Sequence, residues 1–94
     1  MIFAVTGILK EGAEARLAAL QEAFNEHLTQ PFRRILLGGS LRGADGKRTG
    51  FIVLIEAGSF AEAEAFLHQS PLFQADLYQR AFVSEFVVEV GTLE

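Results

Sequence analysis

The stretch GFIVLIEAGSFAEAEAFLHQSPLF, residues 50–73, decides the fold. Its opening, Phe51–Ile55, is uniformly apolar, as a buried strand requires, and we assign a strand to Thr49–Glu56. Ser59 then opens a helix. Ser59 and Glu62 have capping-box spacing, in which the hydroxyl accepts from the third helical N–H and the carboxylate reaches back to a free N–H. Phe60, Ala63 and Leu67 line one face, with Phe66 beside Leu67. The helix gives way near Gln69. Ser70-Pro71 restarts a short helical piece over Pro71–Tyr78, because Pro suits a first helical position and Ser the cap before it.

Working outward, Arg42-Gly43-Ala44-Asp45-Gly46-Lys47 reads as a hairpin, since Asp-Gly tolerates the positive φ that a tight turn needs. Phe32–Leu41 before it is a strand. Strict alternation places Ile35, Leu37 and Leu41 on one side and Arg34, Leu36 and Ser40 on the other. Gly38 and Gly39 allow a bulge or a close approach. Ala13, Leu17, Leu20, Phe24 and Leu28 recur at steps of three and four, the stripe of an amphipathic helix, which Pro31 stops. Ile2–Leu9 is a first strand, and the alternating Phe82–Val90 a last one. The order is β-α-β-β-α-β: an α+β, ferredoxin-like split βαβ fold with a four-stranded antiparallel sheet and two helices on one face.

The 94 residues make a single domain, half of it hydrophobic, 21% charged, with nine Phe and no Cys. Disulfides, thiol nucleophiles and Cys-ligated metals are excluded, and absence of Cys fits a cytoplasmic protein. MIFAVTGIL lacks a basic leader, and no apolar run reaches the roughly 20 residues of a membrane span. A net charge of −4 argues against nucleic acid and anionic membranes as partners. Five of the eight basic residues nevertheless cluster in one stretch: Arg33, Arg34, Arg42, Lys47 and Arg48. They are either the solvated edge of a hairpin or a mouth that attracts a small anion. Strands with apolar residues on both sides leave a patch on the sheet face that the helices do not cover, with Leu36, Val83 and Val87 as its members. A two-fold homodimer with stacked sheets is the simplest way to bury it.

An ordered set of short pieces resembles the YciI-like (YCII-related) proteins. It comprises Gly38-Gly39-Ser40-Leu41, Asp45-Gly46, Gly50 with the strand ending Glu56-Ala57, the Ala/Glu-rich helix, and Ser70-Pro71-Leu72-Phe73-Gln74-Ala75-Asp76-Leu77-Tyr78. The resemblance implies a dimeric ferredoxin-like α/β barrel, some of whose members resemble small-molecule lyases or dehalogenases. It also implies a pocket shared by a His from the first helix region and the Asp of an Asp-Pro step. Ser70 stands where that Asp is expected. His27-Leu28 matches the family's His-Leu if about three residues are deleted after it, whereas a gapless alignment brings Glu22 to that place.

His27 is thus the candidate general acid/base, against the plainer reading of a polar residue favoured by the helix dipole. Ser70 is the second candidate, against a purely structural cap. His68 reads as a capping or solvated residue, and Asp76 is too far along the chain to replace the missing acid. The residues show no metal-ligand spacing, no phosphate loop and no RNA-binding pattern, and call for no cofactor. Two functions fit. One is a dimer binding a small, anionic organic molecule between the first helix, the Gly-Gly segment and Ser-Pro, with Gly39, Ser40, Arg42 and Pro71 as ligand contacts. The other is a non-catalytic dimerisation or interaction module that has lost the family's carboxylate.

Overall fold

The computed structural model describes residues 1–30 and 34–92. Pro31, Phe32 and Arg33, which carry the helix stop, the start of the second strand and one member of the basic cluster, lie outside the described residues. The chain runs β1 (Ile2–Leu9), α1 (Glu14–Leu28), β2 (Arg34–Arg42), β3 (Arg48–Glu56), α2 (Phe60–His68), α3 (Pro71–Gln74) and β4 (Tyr78–Glu85). The antiparallel sheet has the order β2-β3-β1-β4, so the two central strands are the two most apolar ones.

The capping box forms. Glu62 N–H donates to Ser59 Oγ at 3.2 Å, and Glu62 Oε2 accepts from Gly58 N–H at 2.9 Å. The hairpin closes through Gly43 N–H on Lys47 O and Gly46 N–H on Gly43 O. Only its glycine takes the left-handed conformation, Gly46 at φ 81°; Asp45 instead accepts Lys47 N–H on its carboxylate. Asp45 therefore works as a side-chain turn former rather than as a positive-φ residue.

Two sheet assignments made from alternation are corrected. In β2 the pairing slips between Ile35 and Leu37, so Leu36 is an extra, bulged residue. A bulge reverses the parity after it. Ile35 packs on the core under the helices, while Leu37 pairs with Leu54 and faces the open side. In β4, Val83 pairs with Val5 and packs against the helix-side core, so Phe82 belongs to the uncovered face. β4 also begins and ends earlier than Phe82–Val90. The short helix stops at Gln74 because Asp76 adopts φ 60°, a left-handed turn that frees Tyr78 to enter the sheet.

The core divides in two. One cluster, built on Phe3, Val5, Val53, Ile55, Phe66 and Leu67, lies beneath α2. The other, built on Leu9, Leu17, Phe24, Phe51, Leu72 and Leu77, joins α1 and α3 to the sheet. Leu28 and Tyr78 pack against both. α2 lies close on β1 and β4, whereas the close backbone approach of α1 is to α3. Among the described residues, no helix is long and apolar enough to cross a membrane.

Candidate functional site

The seam between the two core clusters holds a small cavity of about 20 Å³, lined on its polar side by His27, Ser70 and Tyr78. Phe24, Phe51 and Phe66 supply much of its apolar wall. His27, in the last turn of α1, is 6% exposed and Ser70 is 3% exposed. Among the described residues, their outward atoms, His27 Nε2 and Ser70 Oγ, make no hydrogen bond of regular geometry.

His27 is not the solvated, dipole-stabilised imidazolium of the plainer reading. Its ring stacks on Phe66 at 4.4 Å and 29°. Burial lowers its pKa below 6.5, partly opposed by a hydrogen bond to the Phe66 backbone. Phe66 of α2 thus holds the imidazole by its ring, and the Nε2 atom faces the cavity.

Ser70 occupies the cap position of α3 through its backbone: its carbonyl accepts Gln74 N–H at 3.0 Å. Its hydroxyl makes no cap bond, so the structural reading of the side chain fails. Tyr78, taken from the sequence as core, is the residue that reading missed. It is the chain's one Tyr, and it enters the site only because β4 starts at Tyr78. Burial pushes its phenol up to about 12, and an interaction with the Ser70 side chain works against that shift. The ring lies over Gly7, where any Cβ would collide with it.

The predicted ligand contacts are spread over neighbouring surfaces. Gly39 and Ser40 line a cleft of about 240 Å³ between β2 and α1, with Gln21, Asn25 and Arg48. The cleft and the His27 cavity share one wall: Phe24, Leu28, Phe51 and Val53. The Phe24 and Phe51 rings lie 5.0 Å apart at 52° across it. Arg42 lies further along, in an open groove of about 630 Å³ beneath the hairpin. Pro71 starts α3 beside Ser70 but lines neither the cavity nor the cleft. Glu22 is exposed on α1, so of the two positions considered only His27 faces the cavity. His68 is exposed with its ring 4.9 Å from Phe73, and Asp76 is ion-paired to Lys10 at 2.7 Å.

A family model for the YCII-related domain matches residues 1–87, nearly the whole chain. The protein belongs to the YCII-related family. Among solved structures, this YCII-related chain is similar to the 5-chloro-2-hydroxyhydroquinone dehydrochlorinase of Burkholderia phenoliruptrix, determined in complex with 2,5-dihydroxybenzoquinone. The two are 24% identical, the match covers 93% of this chain and 94% of that one, and the TM-score is 0.82. That likeness shows a common ferredoxin-like fold. No curated protein matches the chain significantly.

Proposed function

We propose that this YCII-related protein binds a small, planar, ionisable organic molecule at the seam between α1, β2 and Ser70, with His27 as general base. The observation that carries this reading is the buried His27 Nε2, with no hydrogen-bond partner among the described residues, facing one cavity with the Ser70 hydroxyl and the Tyr78 phenol. Leaving such a group unpaired costs about 1–3 kcal/mol, which a core selected for stability alone would avoid. The lowered pKa keeps His27 neutral at neutral pH and able to accept a proton on Nε2. Ser70 Oγ–H and the Tyr78 phenol, neutral well above physiological pH, are placed to donate to an oxygen of the bound molecule. The aromatic walls suit a flat ring. The ligand named for the dehydrochlorinase is a hydroxylated quinone, and that class supplies the first compounds to try here.

A cavity of about 20 Å³ has room for roughly one water. A ring therefore enters from the cleft by displacing the shared Phe24–Phe51 wall. Titration with 2,5-dihydroxybenzoquinone and a set of hydroquinones, followed by calorimetry, tests the proposal. Binding is expected, weakened by His27→Asn and by Ser70→Ala. A protein that binds none of them, or binds them equally well without His27, is not this.

The small cavity and the Ser70 hydroxyl in place of an acid favour one other reading, a non-catalytic interaction module. Turnover that disappears in His27→Asn refutes it. Both readings include a homodimer through the uncovered sheet face. Leu37, Phe82 and Phe86 there are 58%, 37% and 40% exposed, and Leu37, Ile52, Leu54 and Phe86 frame a hollow of about 500 Å³. Sedimentation at micromolar concentration should give a dimer, and a monomer would end that part of the proposal.

A further inference from the structure

Arg48 is the cation that the cleft beside the His27 cavity shares with the groove beneath the hairpin. It is partly buried, its guanidinium lies 5.4 Å from the Phe51 ring centroid, and its one side-chain hydrogen bond among the described residues is a long 3.5 Å contact to Gln21 Oε1. It stands directly across the ladder from Arg42. Like charges in that register repel. Lys47 joins them in lining the groove, and among the described residues neither arginine has a carboxylate within ion-pair distance. Arg42 is held at the turn by a bond from Nη1 to Gly46 O, 2.9 Å, which leaves Arg48 as the member turned toward the cleft.

We infer that Arg48 is a specificity-determining residue that takes an anionic oxygen of the bound molecule, with Arg42 adding to the local positive potential. The ligand class is therefore a planar organic anion, a carboxylate or an ionised hydroxyquinone. Its ring would lie along Phe51 toward His27, and its charged oxygen would neutralise the paired arginines. A guanidinium stacked on an aromatic ring, with donors free at its edge, presents the fork that such oxygens prefer. This rests on the proposed small-molecule site and assigns that site its charge preference.

The test compares anionic 2,5-dihydroxybenzoquinone with neutral hydroquinone, each titrated by calorimetry at low and high salt. The proteins are the wild type, Arg48→Gln, Arg48→Lys, His27→Asn, and Arg16→Gln as a charge-matched control away from the cleft. Arg48→Gln should weaken the anion about tenfold or more, flatten its salt dependence and leave the neutral probe unchanged. Arg48→Lys should fall between, keeping the charge but losing the fork. If Arg48→Gln weakens the anion no more than Arg16→Gln does, the inference is overturned while the site stands. If His27→Asn binds like the wild type and Arg48→Gln does not, the anion site stands and the His27 site fails. A wild type that binds neither probe overturns both.

Discussion

The two β-α-β halves of this molecule hold their helices differently. α2 begins at a residue with extended backbone, Ser59 at φ −161° and ψ 164°, whose side chain caps it, and it lies close on β1 and β4. α1 begins after Ala13, already helical at φ −72° and ψ −12°, with no side-chain cap, and it reaches the sheet through long side chains such as Phe24 on Phe51. The better-fixed helix supplies the Phe66 ring on which His27 stacks. The less-fixed helix supplies His27 itself and one side of the cleft. If the proposed site admits a ring, the α1 side, uncapped at its start and without the close backbone approach to the sheet that α2 has, is the wall expected to move.

The largest effect that tests this contrast is loss of a core aromatic from each helix. Phe66→Ala should cost about 3–5 kcal/mol in denaturant unfolding, with Phe24→Ala at or below the low end because the adjoining cleft lets its surroundings relax. Equal costs would break the comparison. Next is the alkaline limb. With the Tyr78 phenol raised from 10.0 to about 12, the stability it contributes is complete below 10 and is lost as pH rises toward 12, on the order of 2 kcal/mol. Because the chain has one Tyr and no Trp, its phenolate absorbance reports that titration without interference, and a normal midpoint would show that the ring is not held at the seam.

A smaller effect concerns the caps. Ser59→Ala should lower stability by about 1 kcal/mol. Ala13→Ser should bring no comparable gain, since a residue with helical backbone does not aim its hydroxyl at the free N–H groups. A gain of similar size in thermal unfolding would show the two helix starts to be alike. The smallest is an acid-side slope from His27. Its folded pKa lies below 6.5, so the unfolded chain binds the extra proton first. Stability is full above 6.5 and declines as pH falls through that value toward the folded pKa. His27→Asn should flatten this part of the pH profile, and an unchanged slope would mean that His27 is not buried as a neutral base.

The seven elements leave local signatures of unequal quality. The capping box, the Ser-Pro restart and the hairpin are complete in short windows, and each appears where it was read. Alternation misled in β2 because parity holds only in unbroken pairing, and the bulge at Leu36 breaks it. In β4 Phe82 and Val83 do alternate, but alternation alone does not say which of the two faces the helices cover. Of the site, His27 and Ser70 were legible as residue types worth attention. Tyr78 was not, because its place depends on where β4 begins. Arg48 was one charge among five, since a basic run looks the same whether it lines solvent or a cleft.

The amino-acid sequence by itself determined the β-α-β-β-α-β order, the capped second helix and the absence of an acid at position 70. These depend on contacts between residues a few positions apart. The tertiary structure alone decided that His27 and Ser70, forty-three positions apart, share a buried cavity with Tyr78. It also decided that the Phe66 ring stacks on the imidazole of His27, from a different helix. Those juxtapositions arise from helix-on-sheet packing and strand register, which close loops too long for any local pattern to encode.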